Sequence, residues 1–302
     1  MTDNRYAVTG AFGYSGRQIA KRLLERGCDV VTLTGKPPQP ELCGHRITTF
    51  PLAFDNPDQL ARSLEGVQVL YNTYWVRFNH RNFTHADGVR NSGILFEAAK
   101  RAGVQRIVHV SIANPSEDSP FEYYRGKAVV ENMLRDTGIP HSILRPTVLF
   151  GHDDILINNI AWTLRRFPVV GYAGTGEYRV RPLHVDDFAD LAVEHGTHTS
   201  NEIVDAVGPE DYPFKDLLRT VAEIIGTKNL IIPVPFWFAW SAAQIIGWMQ
   251  HDVLLTWQEI GALTANLLTS SAPAVGEISL REYLRENRET VGKTYANELR
   301  RR

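Results

Sequence analysis

The chain has 302 residues, of which 43% are hydrophobic and 22% are charged, as in an ordinary globular protein of one or two domains. A formal net charge of −2 gives no general attraction to nucleic acid or to an anionic membrane. The two cysteines, Cys28 and Cys43, are too few for a disulfide framework or a metal cage, which favours a reducing compartment. The first predicted strand starts near residue 6 and leaves no room for a signal or transit peptide, so we expect a cytoplasmic protein.

The most informative segment is residues 5–17. A short β-type run, Tyr6–Thr9, leads into glycines at Gly10, Gly13 and Gly16, and an amphipathic helical pattern follows at once. A strand, a tight glycine turn and a helix N-terminus together form a cradle for a pyrophosphate, because free backbone N–H groups and the positive end of the helix dipole face the anion. This context predicts a dinucleotide site. The alternative is a plain glycine-rich turn in an α/β protein.

Strands and helices then alternate, which predicts a doubly wound parallel α/β sheet. The predicted strands lie at 30–34, 47–52, 67–71, 106–111 and 142–146, and the helices between them at 57–64, 86–102 and 124–137. The alternation loosens near residue 150. We therefore expect a dinucleotide-binding core over 1–150 and a smaller lobe over 151–302, mixed and partly helical, with strands returning to the core.

The end of the second predicted strand bears on the choice of cofactor. It offers Thr34 and Lys36, with no carboxylate before Glu41, and Arg17 lies just after the third glycine. A carboxylate there would bind the ribose hydroxyls of NAD, whereas a hydroxyl and two cations suit the 2′-phosphate of NADP. The pattern favours NADP, with NAD as the alternative. Both cations can equally be ordinary surface charges.

Asp55 and Asn56 follow the third predicted strand. One of these side chains can accept a hydrogen bond from the adenine amino group. They can also cap the helix that starts at Pro57, and both roles are compatible.

The loop after the fourth predicted strand carries aromatic and basic side chains: Tyr74, Trp75, Arg77 and His80. It follows the carboxyl end of a parallel strand, where open α/β sheets bind ligands, so these residues are candidates for the wall of a substrate pocket. A packed loop with solvated Arg77 and His80 explains the pattern equally well. His80 and His85 have no third ligand nearby in sequence, and no metal site is predicted.

Tyr123 and Lys127 are spaced one helical turn apart and share a helix face. A cationic lysine beside a phenol stabilises the phenolate and lowers its pKa, so Tyr123 could pass a proton to or from a substrate oxygen. Lys127 would also reach the nicotinamide ribose. Tyr124 is directed about 100° away around the helix and should miss the lysine.

Residues 230–249 contain no acidic or basic side chain. Pro233 and Pro235 interrupt the run, which leaves 236–249 as a helix too short to span a bilayer. Three interpretations remain: a buried helix, a lid over the active site, or a peripheral membrane contact. The buried helix is the simplest, and we expect it.

Several of these motifs together resemble the extended and atypical short-chain dehydrogenase/reductases. The shared motifs are Thr9-Gly10-x-x-Gly13-x-x-Gly16, Tyr123-x-x-x-Lys127, Arg145-Pro146-Thr147 and the segment 183–187. Within that superfamily the chain is similar to the NAD(P)-binding group that includes the dinucleotide-binding accessory subunit of respiratory complex I and the NmrA-like regulators. The resemblance implies a Rossmann-type fold with nucleotide binding in the first 150 residues. It also implies a serine or threonine near the end of the fifth strand, where Ser111 either holds a substrate carbonyl or simply caps the strand.

The resulting hypothesis assigns catalysis to Tyr123, Lys127 and Ser111, in an NADP-dependent oxidoreductase or epimerase that acts on a small carbonyl, alcohol or sugar-nucleotide substrate. The alternative is a non-catalytic dinucleotide-sensing or assembly protein. We expect a small-molecule partner and no nucleic acid, and the oligomeric state stays open. The residues assigned to the cofactor are Thr9, Gly10, Phe12, Gly13, Tyr14, Gly16, Arg17, Thr34, Lys36, Asp55, Asn56, Lys127 and Pro146.

Overall fold

A computed structural model describes residues 4–37, 47–80 and 83–301 of the chain. The chain divides into two units. Unit 1 contains the residues up to Pro146 together with Phe188–Asp205, and unit 2 contains Thr147–Asp187 together with the residues from Ala206 onward. The sequence alone drew a single boundary near residue 150.

The strands, in chain order, are β1 (Arg5–Thr9), β2 (Asp29–Thr34), β3 (Ile47–Pro51), β4 (Val69–Asn72), β5 (Arg106–Val110), β6 (His141–Pro146), β7 (Val148–Phe150), β8 (Val169–Ala173), β9 (Arg179–Val180), β10 (Pro182–His184), β11 (Glu202–Ala206), β12 (Tyr212–Pro213) and β13 (Leu230–Val234). The helices are α1 (Tyr14–Glu25), α2 (Pro57–Ser63), α3 (His85–Arg101), α4 (Glu122–Asp136), α5 (Leu156–Arg166), α6 (Val185–His195), α7 (Phe214–Ile225), α8 (Phe236–Gln250), α9 (Trp257–Thr264) and α10 (Leu280–Glu286).

Unit 1 is built on a seven-stranded sheet in the order β11-β6-β5-β4-β1-β2-β3. The pairs from β3 across to β6 are all parallel. The chain leaves β1 for β2 on one side and returns through β4 on the other, so the strand order reverses at β1. In open α/β sheets, ligands bind beyond the carboxyl ends of the strands at such a reversal. The predicted Rossmann-type α/β fold is confirmed.

The sequence pattern explains why these segments form this sheet. Residues 30–34 of β2 are all buried, as expected for a parallel strand covered on both faces. Helix α1 buries Ile19, Leu23 and Leu24, spaced so that they lie on one face. The central core contains Val31, Leu70, Ile107 and Ile143 from the strands, with further side chains from α2, α3 and α4.

Unit 2 contains three two-stranded sheets, β10–β7, β12–β9 and β13–β8. Its core includes Phe150, Ile157, Leu217, Val221 and Leu284, which come from β7, α5, α7 and α10. Helix α7 ends at Gly226, whose φ of 75° is a left-handed conformation that glycine adopts without strain.

The prediction that residues 236–249 form a buried helix is wrong. Helix α8 buries only Ala243 and Gly247. Five of its large apolar side chains, Trp237, Phe238, Ile245, Trp248 and Met249, are exposed, and Phe236, Trp240 and Ile246 are half-buried. Hydropathy along the chain reports how apolar a segment is, and it does not report whether another element covers that segment. Within the described part of the chain, every helix falls short of the length and apolar character needed to span a membrane.

Candidate functional site

The turn between β1 and α1 is closed by hydrogen bonds among its own glycines. Gly10 has φ +69°, its N–H donates to Leu33 O at 2.9 Å, and Gly13 N–H donates to Gly10 O at 2.7 Å. A Cβ on Gly16 would lie 2.4 Å from Gly10 O, and one on Gly13 would lie 3.1 Å from the same oxygen. The turn therefore has this shape only because these positions carry no side chain.

Helix α1 opens onto this turn with an uncapped N-terminus. Its N-cap is Gly13, which offers no side-chain hydrogen bond, and its first turn contains no acidic residue. The N-terminal N–H groups and the helix dipole are thus available to an external anion. A glycine cradle with an open helix N-terminus fits the diphosphate of a dinucleotide.

A buried polar network fixes the carboxyl ends of β1 and β4 beside this turn. Thr9 Oγ1 donates to Asn72 Oδ1 at 3.0 Å and accepts from Thr73 N–H at 2.8 Å, while Thr73 Oγ1 donates to Thr9 O at 2.6 Å. Asn72 Nδ2 lies 3.1 Å from His109 Nδ1. Burial holds the pKa of His109 well below its ordinary value, so His109 is neutral and accepts this bond. Thr9, predicted as a cofactor ligand, uses its hydroxyl within the fold.

The groups predicted to bind the second ribose are Thr34 at the end of β2, Lys36 two residues after it, and Arg17 on α1. Thr34 is buried and its Oγ1 accepts from Lys36 N–H at 3.0 Å, and Lys36 and Arg17 are both half-buried. Glu41, the next carboxylate in the sequence, lies outside the described residues. Asn56 Oδ1 accepts from Gln59 N–H at 3.1 Å, so the predicted helix cap at α2 is present.

Lys127 is almost completely buried on α4, with 2% of its surface exposed. Its Nζ donates to Val110 O at 2.7 Å and lies 4.6 Å from the ring centroid of Trp75. Burial lowers the pKa of Lys127 to about 7, and the nearby Glu131 carboxylate opposes that shift. The ammonium group is therefore held by a carbonyl oxygen and an aromatic face of its own unit.

The Trp75 indole fits into a slot between helices α3 and α4. A Cβ on Gly88 or on Gly126 would lie 3.0 Å from its benzo ring. The indole stacks on His85 with ring centroids 5.9 Å apart. Glycine inside a helix lowers helix stability by about 1 kcal/mol relative to alanine. Gly88 and Gly126 therefore make their helices less stable, but they leave the space that the indole occupies. Trp75, predicted as a pocket wall, packs against the core of unit 1.

Tyr123 lies beside the same indole. Its half-buried ring is edge-on to Trp75, with centroids 5.9 Å apart, and edge-on to His85 at 5.6 Å. Tyr124 is buried against Phe121. Tyr123 and Lys127 thus contact one shared neighbour, Trp75, and both Trp75 and Tyr123 also contact His85, which the sequence assigned to no site.

Ser111 belongs to a buried ion-pair network. Its Oγ donates to Glu131 Oε1 at 2.5 Å, and Glu131 is 1% exposed. Arg145 donates to both oxygens of Glu131, at 2.9 and 2.6 Å, and Arg135 donates to Oε2 at 3.1 Å. This arrangement uses the Ser111 hydroxyl to complete the coordination of a buried carboxylate.

The other residues of the predicted substrate loop have packing contacts of their own. Tyr74 Oη accepts from Asn91 Nδ2 at 2.8 Å, and burial raises the pKa of Tyr74 to about 12. The Arg77 guanidinium lies 5.7 Å from the Phe78 ring centroid, and His80 stacks on Phe83. Four assigned residues remain. Phe12 is buried, Tyr14 is half-buried and Asp55 is exposed. The carbonyl of Pro146 accepts a hydrogen bond from Ala113 N–H.

Two clusters of histidine and acidic side chains escaped the sequence reasoning because their members meet only in the fold. In one, His152 Nε2 lies 2.9 Å from Asp186 Oδ2, with His184 beside them. In the other, Nδ1 of His195 and Nδ1 of His198 lie 2.9 and 2.8 Å from Glu202 Oε2. These separations are hydrogen-bond lengths, so the pairs account for both clusters without an ion.

Comparison with known proteins shows the family of the chain. The NAD(P)H-binding family matches residues 10–160, which is half of the chain and includes the glycine turn, Trp75 and Lys127. This chain belongs to the NAD(P)H-binding family. The predicted resemblance to NAD(P)-binding proteins is confirmed.

Curated relatives of this NAD(P)H-binding protein include subunits of mitochondrial NADH dehydrogenases. It is 26% identical over 75% of its length to the mitochondrial NADH dehydrogenase [ubiquinone] 1 alpha subcomplex subunit 9 of Dictyostelium discoideum, and 27% identical over 76% to the mitochondrial NADH-ubiquinone oxidoreductase 40 kDa subunit of Neurospora crassa. The matched region covers 66% and 62% of those two proteins, so the chain spans slightly less than two thirds of each.

Solved structures of reductases share the fold. Triphenylmethane reductase of Citrobacter sp. superposes with a TM-score of 0.78 at 18% identity, covering 95% of this chain and 100% of that one. An NADPH-dependent quinone oxidoreductase from Escherichia coli, in complex with NADPH, gives 0.71 at 18% identity, covering 96% and 97%. At this level of identity the likeness establishes the fold of the NAD(P)H-binding protein and leaves its chemistry open.

Proposed function

We propose that this chain binds NADP(H) at the Gly10–Gly16 turn and retains it as a bound ligand rather than consuming it in a reaction. The observation that carries the proposal is the state of Lys127. Its ammonium group donates to Val110 O under the face of Trp75, inside unit 1. A lysine in that position does not assist a phenol or grip a nicotinamide ribose unless Trp75 moves.

The state of Ser111 supports the same proposal. A substrate carbonyl would need its hydroxyl as a donor, and that hydroxyl donates to Glu131. Arg145 donates to both oxygens of Glu131, and removing the serine hydroxyl from this side chain would weaken a buried network. Two of the three groups assigned to catalysis are therefore engaged in holding unit 1 together.

The preference for NADP rests on the end of β2. Lys36 and Arg17 supply two cations, and the segment Gly35-Lys36-Pro37 contains no carboxylate that would repel a 2′-phosphate. Phosphate recognition by paired cations contributes roughly 1.5–3 kcal/mol for each charge-assisted hydrogen bond. We infer that NADPH binds more tightly than NADH.

A retained dinucleotide suits a protein that senses cofactor level or serves in an assembly. Binding only to the folded state stabilises that state, so the cofactor can hold a subunit in its native form. The relatives named as subunits of NADH dehydrogenase favour the assembly role. The proposal therefore includes that this chain is a subunit of a larger complex.

The second candidate function is an NADP-dependent oxidoreductase or epimerase that acts on a small carbonyl, alcohol or sugar-nucleotide substrate. One observation favours it: Tyr123 is half-buried rather than enclosed, one helical turn from a lysine whose pKa is about 7. The dinucleotide would supply hydride transfer, and Tyr123 would exchange a proton with the substrate oxygen. In this candidate, Trp75 must leave the Lys127 ammonium.

The experiment that separates the two candidates adds NADPH to the purified protein and follows both its retention and its oxidation. We expect NADPH to raise Tm, to remain bound through desalting, and to stay reduced when aldehydes, ketones, quinones or sugar nucleotides are added. NADPH oxidation that Tyr123→Phe reduces about a hundredfold, with the neighbouring Tyr124→Phe as the unaffected control, would establish the second candidate instead. If neither NADPH nor NADH bound to the protein, both candidate functions would be overturned.

A further inference from the structure

Helix α8 in unit 2 presents an apolar face to solvent. Trp237 is 62% exposed and Trp248 is 79% exposed, and Phe238, Ile245 and Met249 are exposed beside them. At 100° per residue these five side chains fall within about 120° of the helix circumference, so they form one stripe along its length. Contiguous exposed apolar surface of this kind marks an interaction site.

Two polar side chains on or beside this stripe donate hydrogen bonds within the chain. Ser241 Oγ donates to Trp237 O at 2.8 Å, and Gln244 Nε2 donates to Leu255 O at 2.9 Å. A protein partner is usually recognised through hydrogen bonds from such groups. Here they are directed back to backbone carbonyls, which lowers the cost of placing the face against hydrocarbon.

The charges around α8 complement an anionic surface. Residues 229–250 contain no acidic or basic side chain, exposed Lys228 precedes β13, and exposed Arg300 lies in the segment that is hydrogen-bonded to residues 250–252 after α8. The Asp252 carboxylate fixes that segment, because it accepts from two of its backbone N–H groups and from a tyrosine hydroxyl. Asp252, two residues after α8, is thus paired with donors of the chain, and half-buried Glu298 is a second carboxylate in this segment.

We propose that α8 lies flat on a membrane that contains anionic lipid, with the Trp237–Met249 stripe at the level of the acyl-chain boundary and Arg300 against the phosphate headgroups. The helix has 15 residues, or about 22 Å at 1.5 Å per residue, which is short of the roughly 30 Å of a hydrocarbon core. Indole rings favour this interfacial depth because they are apolar and carry one N–H donor. The inference concerns unit 2 and does not depend on the dinucleotide.

The test is flotation of the full chain with vesicles of phosphatidylcholine alone and with vesicles that also contain phosphatidylglycerol. We expect binding to the mixed vesicles, a blue shift of tryptophan fluorescence on binding, and weaker binding at high salt. The double variant Trp237→Ser/Trp248→Ser should bind at least about tenfold more weakly, since two apolar side chains no longer enter the interface. Arg300→Glu should weaken binding to the mixed vesicles only.

Two matched controls change an exposed apolar side chain and an exposed charge outside α8. Ile203→Ser deletes an exposed apolar side chain on β11, and Lys293→Glu reverses an exposed charge outside α8, so both should bind vesicles as the unmodified chain does. Absence of vesicle binding at either composition would overturn the proposal. So would a dimer, formed without lipid and abolished by the double tryptophan variant, because the face would then belong to a second copy of the chain. Equal loss of binding in the Ile203→Ser control would also contradict it.

Discussion

The ammonium group of Lys127 lies 4.6 Å from the ring centroid of Trp75 and donates to Val110 O at 2.7 Å. The sequence pairs Lys127 with Tyr123 as a proton-transfer unit, and the fold inserts an indole that contacts both residues. The central question about the site is therefore whether Trp75 is a fixed part of unit 1 or a cover that a ligand displaces.

The pKa of Lys127 gives a pH dependence of stability with a defined sign. Burial lowers this pKa from 10.5 to about 7, so between those values the unfolded chain binds more protons than the folded chain. The free energy of unfolding should therefore rise as the pH is raised through this range, by at most about 1.4 kcal/mol per pH unit. Lys127→Met should flatten this dependence in urea titrations, whereas Lys100→Met, at an exposed position on α3, should preserve it. Identical slopes for the two variants would contradict the burial of a titrating Lys127.

The indole slot predicts a reversal of sign in a double-mutant cycle. Gly126→Ala alone should destabilise unit 1, because its Cβ would lie 3.0 Å from the Trp75 ring. In a Trp75→Ala background the same change should stabilise the chain by about 1 kcal/mol through helix propensity. Gly93→Ala is the matched control on α3, since its Cβ would meet only the flexible end of Met133 and should stabilise both backgrounds. If Gly126→Ala had one sign in both backgrounds, Trp75 would not fill the slot.

The ion-pair network separates a structural serine from a catalytic one. Glu131→Gln should cost about 3 kcal/mol of unfolding free energy, because Arg145 loses a buried charged partner. Ser111→Ala should cost about 1 kcal/mol and should leave NADPH affinity unchanged, since one hydrogen bond to Glu131 is lost. Chemical denaturation and cofactor titration of both variants measure these effects. If Ser111→Ala kept its stability but lost a reaction that the unmodified chain catalyses, the serine would be catalytic.

The glycine turn predicts a loss of binding that can be separated from a loss of folding. Gly13→Val should abolish dinucleotide binding in a folded protein, because its side chain crowds the surface that faces the diphosphate. Gly16→Ala should impair both folding and binding, since its Cβ would lie 2.4 Å from Gly10 O. Circular dichroism and fluorescence titration distinguish the two outcomes. If Gly13→Val bound NADPH with full affinity, the assignment of the diphosphate site to this turn would be wrong.

The ribose end predicts a charge-specific effect. Lys36→Glu should weaken NADPH binding about tenfold or more and should leave NADH binding nearly unaffected, because only NADPH carries the 2′-phosphate. Lys100→Glu applies the same charge change at an exposed site on α3 and should affect neither nucleotide. Equal affinities of the unmodified chain for NADPH and NADH would contradict the NADP assignment.

The parts of the site that the sequence predicts are those encoded locally. Gly10, Gly13 and Gly16 adjoin the strand before them and the helix after them, so spacing alone specifies the turn. The cap at Asn56 is equally local, because a side chain bonds a backbone N–H three residues on. The alternation of strands and helices then specifies the sheet.

The parts that the sequence missed depend on packing between distant segments. Glu131 of α4 contacts Ser111, directly after β5, and Arg145 of β6, and neither spacing nor periodicity indicates these contacts. The Trp75 slot left one signal, the glycines at 88 and 126 inside predicted helices, where a glycine has a packing reason. The prediction that α8 is buried was wrong because an apolar pattern does not indicate whether another element covers the helix.

A crystal structure of the chain with NADPH tests the central claim most directly. We predict that the diphosphate lies on the Gly10–Gly16 turn, while Trp75 stays between Gly88 and Gly126 and Lys127 Nζ still donates to Val110 O. A structure in which Trp75 has left the slot and Lys127 Nζ binds the nicotinamide ribose beside Tyr123 would contradict a retained cofactor and support a reductase.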